Sequence, residues 1–188
     1  MNTLKLTAEH FKQSNSYWKD YIGTEDVSDY QWNIEIYSNL WYVRFNKIKA
    51  SWNIVALAGS GIEAGWGIKA GWGIKTGEGI KAGWGIEAGE GIEAGWGIEA
   101  GSGIKAGLSI SCKLSLSFSY KIFAGICYWR NINDSEKTIT CGKKEGTGIV
   151  EYGILVETGL PDEVKVDPLP SKEVTVTING KEYKAIIQ

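Results

Sequence analysis

Two carboxylates and four indoles occupy one repeated position of this chain, each held between glycines: Trp66, Trp72, Glu78, Trp84, Glu90 and Trp96. A pair such as Glu78 and Glu90 is the kind of arrangement that can serve as general acid and base. A row of indoles offers flat faces for stacking, and tryptophan is favoured at the centre of protein interfaces. Other candidates for chemistry are sparse. His10 is the only histidine and lies far from the glutamates, so it reads as an ordinary side chain of the N-terminal segment. Cys112, Cys127 and Cys141 make no Cys-x-x-Cys spacing and no cluster with histidine, so no zinc site and no cofactor is expected. An odd count of thiols, with Cys112 and Cys127 on an apolar stretch, points to buried free cysteines in a reducing compartment.

The element that must position the six is the stretch from Gly61 to Gly107, a nearly unbroken hexad Gly-x-Gly-Ile-(Lys/Glu)-Ala. Isoleucine recurs every six residues from Ile62 to Ile110. Two places after each comes a small residue, alanine from Ala64 to Ala106 except for Thr76, and then Cys112. Six is an even number, so the pattern suits a strand of alternating side chains and not a helix of 3.6-residue period. Ile and Ala then share one face, and Lys or Glu takes the other. The glycines are expected to admit positive φ at corners between short strands. Units this small cannot bury their own apolar face, which calls for stacking into a solenoid.

Charge fixes the number of hexads in a coil. Residues one coil apart lie about 4.8 Å from each other, where like charges repel. With three hexads per coil the outward columns read Glu63-Lys81-Glu99, Lys69-Glu87-Lys105 and Lys75-Glu93, every neighbour opposite in sign. With two, Glu87 would sit on Glu99 and Lys69 on Lys81. Three hexads, about 18 residues per coil, is the reading that avoids repulsion. In that frame Trp66 and Trp84 share a column, Trp72 lies below Glu90, and Glu78 lies below Trp96.

The flanks are less regular. Thr7 to Tyr21 predicts a helix, with Thr7 as N-cap and Phe11, Trp18 and Ile22 near one face. Within a cap of residues 1–31, it is expected to cover the first coil. From Trp32 onward Ile34, Leu40, Ile48, Ile54 and Ile62 are spaced six, eight, six and eight, so the excess residues predict bulged or looser corners. Strict alternation from Leu108 to Ile126 extends the solenoid to about Cys127. Tyr128–Asn131 and Asp134–Glu136 read as loop, while Thr138–Cys141 and Ile149–Glu157 read as strands. Pro161, Pro168 and Pro170 mark a connector. Val174–Ile178 and Glu182–Ile187 then flank Asn179-Gly180, a type I′ hairpin signal, in a ribbon that either caps the second end or offers an edge to a partner. The fold class is therefore mainly β, a three-sided β-helix or β-solenoid (32–127) with an N-terminal capping helix (1–31) and a C-terminal β-rich segment with a hairpin (128–188).

Composition narrows the function. A chain of 188 residues with 43% hydrophobic content can bury one core. A net charge of -2 leaves no basic footprint for nucleic acid. Neither an apolar run of membrane-spanning length nor a charged-then-apolar start is visible, so the expectation is no membrane association and a cytoplasmic location.

The Ile-x-Ala-Gly hexad over residues 32 to 127 resembles the hexapeptide-repeat left-handed β-helix proteins, and also bactofilin-like β-helices with Gly-x-Ile-x-Ala rungs. Hexapeptide families carry a small residue two positions before the aliphatic one, where this chain has Trp or Glu. Such side chains must emerge at the corners. The resemblance implies either acyl transfer with a histidine base or zinc held by three histidines, and neither transfers, because the coils contain no histidine. Glu alternating with Lys reads as a solvated ladder, and Gly-x-Gly without a strand-loop-helix setting reads as turns.

The functional expectation is a non-enzymatic binding protein, a rigid β-solenoid that docks a protein or nucleoprotein partner as adaptor or inhibitor through Trp66, Trp72, Trp84, Trp96, Glu78 and Glu90. Small catalytically empty proteins of this kind include phage-encoded inhibitors of host defence. The alternative, implied by the bactofilin resemblance, is a self-assembling structural protein that forms homo-oligomers end to end. A third role for the indoles is to fold over the glycine-rich wall and shield it from water.

Overall fold

The computed structural model describes residues 2–161, together with the backbone of two later strands, Lys172–Ile178 and Lys181–Ile187. Residues 3–157 form a parallel β-solenoid of about seven turns averaging about 19 residues. Three ladders build its sides. The first sheet has eight strands and runs from Thr3–Leu6 to Ile154–Glu157. The second, also of eight, runs from Phe11–Gln13 to Lys143–Glu145, and the third, of six, from Ile48–Ala50 to Ile149–Tyr152. Inside the prism isoleucine stacks on isoleucine and alanine on alanine, as in Ile68↔Ile86↔Ile104 with Ala70↔Ala88↔Ala106. From Ile62 to Ile110 no repeat isoleucine is more than 2% exposed, so this column is the core.

Central coils keep the 18-residue spacing that the charges demanded. Lys69 Nζ lies 3.0 Å from Glu87 Oε2, Lys75 from Glu93 and Lys81 from Glu99 at the same distance, each across one coil. Lys105 reaches Glu87 at 3.9 Å. Glu63 stands in register with Lys81 but turns down to Arg44 Nε at 3.4 Å. These pairs are exposed, so each contributes at most about 1 kcal/mol. Charge reversal tests their geometry. Lys75→Glu, which places two carboxylates in register, is expected to cost about 1 kcal/mol, and adding Glu93→Lys should restore the wild-type urea midpoint.

The repeat glycines serve a different need from the one expected. Positive φ is confined, among the described glycines, to Gly59, Gly125, Gly146, Gly153 and Gly159, all outside the perfect hexads. From Gly71 to Gly107 the first glycine of each Gly-x-Gly is instead a steric requirement: a Cβ at Gly89 would lie 1.9 Å from the carbonyl oxygen of Gly71 in the coil beneath. Tight corners bring backbone against backbone there, and only hydrogen fits.

The N-terminal helix is not present. Thr7 to Tyr21 forms a single 3₁₀ turn, Ala8–His10, and then an antiparallel hairpin of Phe11–Gln13 with Trp18–Tyr21. Asn15 explains the difference, since its Oδ1 accepts from the backbone N–H of Tyr17 (2.9 Å) and of Trp18 (3.0 Å), making a turn where a helix interior was expected. His10 Nδ1 likewise accepts from Thr7 N at 3.1 Å and caps the start of the one turn that forms there. The end of the prism is closed by rings: Phe11 lies 5.8 Å from Tyr21 and 5.9 Å from Phe45, in edge-to-face contacts.

Early coils absorb extra residues at their corners, as the spacing predicted, although one assignment shifts. Val43 and not Leu40 stacks on Ile62. Leu40 is tucked under a corner made by Asn39 (φ 60°), Trp41 (φ 59°) and Gly59 (φ 73°), and its N–H donates to Ser60 Oγ at 2.9 Å. Ladder pairing also continues beyond the expected boundaries. Thr3–Leu6 pairs with Asn33–Ile36, and Ile110 stacks on Ile139 after a loop that carries a second 3₁₀ turn, Asp134–Lys137. Thr138–Cys141, Ile149–Tyr152 and Ile154–Glu157 are strands of this same solenoid. Lys172–Ile178 and Lys181–Ile187 pair antiparallel, with Val176 opposite Tyr183. The Asn179-Gly180 turn between them, and its capping role, lie outside the described residues.

Candidate functional site: three corner columns

The position between the hexad glycines lies at the corners, and the coils stack it into three columns. In the first, Trp52 and Trp72 are parallel with ring centroids 5.0 Å apart and 9° between planes, while Trp32 meets Trp52 edge-on at 5.6 Å. Glu90 continues this column, its N–H donating to Trp72 O at 2.9 Å. In the second, Trp66 and Trp84 stack at 5.2 Å and 21°. Ser102 and then Tyr120 follow, each donating its backbone N–H to the residue below. The third holds Glu78 beneath Trp96, joined by Trp96 N to Glu78 O at 3.3 Å.

The six predicted site residues are thus shared among three edges of a rod. Glu78 and Glu90 sit on different corners, which removes the acid–base pair. Glu78 is also half-buried, with Oε2 accepting no hydrogen bond from any described residue. Its neighbour Tyr42 lies against Gly61 and Gly79. The Tyr42 phenol is held above its ordinary range, first by burial and then by Glu78, Glu63 and Glu99, with a backbone hydrogen bond at Gly79 opposing them. The indoles are the accessible part: Trp66 is 55% exposed, Trp84 61%, and Trp72 and Trp96 somewhat less.

Sequence reasoning missed Trp32, Trp52 and Tyr120. The signal was a 20-residue spacing, Trp32-Asn33-Ile34, Trp52-Asn53-Ile54 and Trp72-Gly73-Ile74, which marks wider coils. Asn53 N and Nδ2 donate to Asn33 Oδ1 at 3.1 and 3.2 Å, and Gly73 N donates to Asn53 Oδ1 at 3.0 Å, so asparagine carries the ladder round that corner.

Cys112 is buried as expected and Cys141 is buried too, whereas Cys127, also expected to be buried, is not. Gly125 turns the chain out of the prism (φ 86°), leaving Cys127 half-exposed. Burial pushes the Cys112 thiol up to about 12, with Cys141 nearby adding to the shift, and burial raises Cys141 as well. At pH 8 a thiol-reactive dye should therefore label Cys127 alone in the folded protein and all three after denaturation. The Cys112 contribution to stability is complete below the ordinary thiol range and is lost as pH rises towards about 12, because only the unfolded chain ionises there.

No protein-family model, curated protein or solved structure matches this chain. The likeness to hexapeptide and bactofilin β-helices is accordingly one of architecture. Among the described residues no helix is long and apolar enough to cross a membrane, and no group of three or more His, Cys, Asp or Glu side chains could hold a metal ion.

Proposed function

We propose that the protein is a non-enzymatic docking rod, an adaptor or inhibitor that engages a macromolecular partner through its corner tryptophans. One observation carries this reading. Glu78, Glu90 and Ser102 occupy the same corner position as Trp66, Trp72, Trp84 and Trp96, and their coils close in the same way. A glycine corner thus forms without an indole over it, so shielding is not a general requirement of the coil. Half-exposed, stacked indoles on a rigid frame supply area at low entropic cost, which suits binding. Trp66→Ser/Trp84→Ser copies the Ser102 corner. The double variant is expected to keep the wild-type circular dichroism spectrum and elution volume, while an immobilised bait carrying it loses the partner that the wild-type bait captures from host extract. Loss of the β-spectrum would favour shielding.

The second reading is end-to-end assembly. Favouring it, Lys143–Glu145, Ile149–Tyr152 and Ile154–Glu157 are the edge strands of the three ladders, with no further strand paired to them among the described residues. Against it, the antiparallel hairpin and its aromatic plug occupy the first end, and a filament needs two open ends.

A further inference from the structure

The three faces of the prism are built alike, so their differences are informative. Along each, a shallow trough runs over the second glycine of the hexads, between a corner column and the outward charge ladder. On the second sheet its charged lining is Glu63, Lys81, Glu99 and Glu145, and on the first it is Lys75 and Glu93. The third-sheet trough, of about 460 Å³, is the reverse: Lys47, Lys69, Lys105 and Lys121 line it against Glu87 alone. Its floor is Gly67, Gly85 and Gly103, and Tyr120 and Phe123 close one end.

Those lysines are only partly neutralised within the chain. Glu87 is shared, 3.0 Å from Lys69 and 3.9 Å from Lys105. Lys121 has Glu151 at 2.9 Å, and Lys47 has no ion-pair partner among the described residues. An independent anomaly lies on the same face. Lys49 stacks in register on Lys69, the one like-charged pair among all the described strand registers, although Asp29 also reaches Lys49. Everywhere else registered charges alternate, so a repeat that avoids repulsion tolerates it only here. An anionic partner would relieve that repulsion.

We infer that the third-sheet trough receives an extended acidic polypeptide segment, an inference that rests on the docking reading above and names the chemistry of the partner. The trough spans four coil steps, about 19 Å, which an extended peptide covers with about six residues. Its cations fall into two groups, Lys47 and Lys69 at one end and Lys105 and Lys121 at the other, with Glu87 between. A peptide can set carboxylates at both ends and neutral residues opposite Glu87, whereas a nucleic acid strand carries a charge at every phosphate. Apolar peptide side chains would meet Tyr120 and Phe123 at the end and the Trp66–Trp84 column along the edge.

The test uses the full-length protein and fluorescence anisotropy at low salt with three fluorescein-labelled probes: the peptide Glu-Glu-Leu-Gly-Leu-Gly-Glu-Glu, the same peptide with Gln for Glu, and an oligothymidylate. The acidic peptide should bind best, and Lys69→Gln/Lys105→Gln should weaken it about tenfold or more. Lys75→Gln/Lys81→Gln, on the other two faces, should leave it unchanged within about twofold. Equal binding of the Gln peptide, equal weakening by the control variant, or tighter binding of the oligothymidylate would each overturn the inference. Capture from host extract separates its failure from that of the docking reading. A partner lost by the Trp66→Ser/Trp84→Ser bait but kept by the Lys69→Gln/Lys105→Gln bait refutes the acidic trough alone. A partner kept by both baits, or none captured by wild type, refutes docking itself.

Discussion

Replacing Gly89 by alanine is expected to lower the stability of the protein by about 3 kcal/mol or more, while Gly91→Ala, two residues on in the same hexad, changes it by less than about 1 kcal/mol. The contrast follows from where the chain turns. A Cβ at Gly89 meets the Gly71 carbonyl oxygen at 1.9 Å and its carbon at 3.0 Å, and both atoms are backbone, so no flexible side chain can yield. Making room means lifting one coil off the next, which weakens rungs such as Gly89 N to Ala70 O. At Gly91 the nearest atom, Ser109 O, is 3.3 Å away, a contact relieved by a shift of a few tenths of an ångström. The loss of glycine's freedom in the unfolded chain offsets part of that cost. Urea unfolding of the two variants, followed by far-ultraviolet circular dichroism, measures the difference directly. Equal midpoints would mean that the first glycine is not held by the coil beneath it.

Ile86→Ala is expected to cost about 2–5 kcal/mol, and Ile86→Val about 0.5–1.5. Ile86 is 2% exposed and is sandwiched in register between Ile68 and Ile104. A prism wall held by continuous parallel ladders above and below cannot collapse to fill the hole, so the alanine variant should fall in the upper half of its range. Thermal unfolding monitored by tryptophan fluorescence gives the check. A change below about 1 kcal/mol for the alanine variant would contradict a close-packed isoleucine column.

What could be read from the residues alone follows from how local the cause is. The hexad sets inward and outward faces without help from elsewhere, and the ladder pairs Lys69–Glu87, Lys75–Glu93 and Lys81–Glu99 fixed the coil length because like charges would otherwise meet. At the N-terminus the decisive contacts are the Asn15 turn and the packing of Phe11 and Tyr21 on Phe45, which a count of apolar spacings cannot represent. The same spacings of Phe11, Trp18 and Ile22 suit a helix face and a hairpin equally. The last coils lost the hexad phase because a loop between Gly125 and Thr138 is spliced into one of them. Of the candidate site, the stacking of Trp66 on Trp84 was legible from 18-residue coils, whereas that of Trp72 on Trp52 required knowing that earlier coils hold 20. The cationic trough was hidden in a net charge near zero, because charge summed over a chain says nothing of its division among three faces.

Light scattering coupled to size exclusion, across a wide range of protein concentration, tests most directly whether this molecule is a self-contained rod that acts on a foreign partner. The account predicts a mass that stays fixed, at the 20.6 kDa of one chain or a small multiple of it, since the Phe11–Tyr21 hairpin closes one end. A mass that grows steadily with concentration would contradict it and would establish that the coils continue from one molecule into the next.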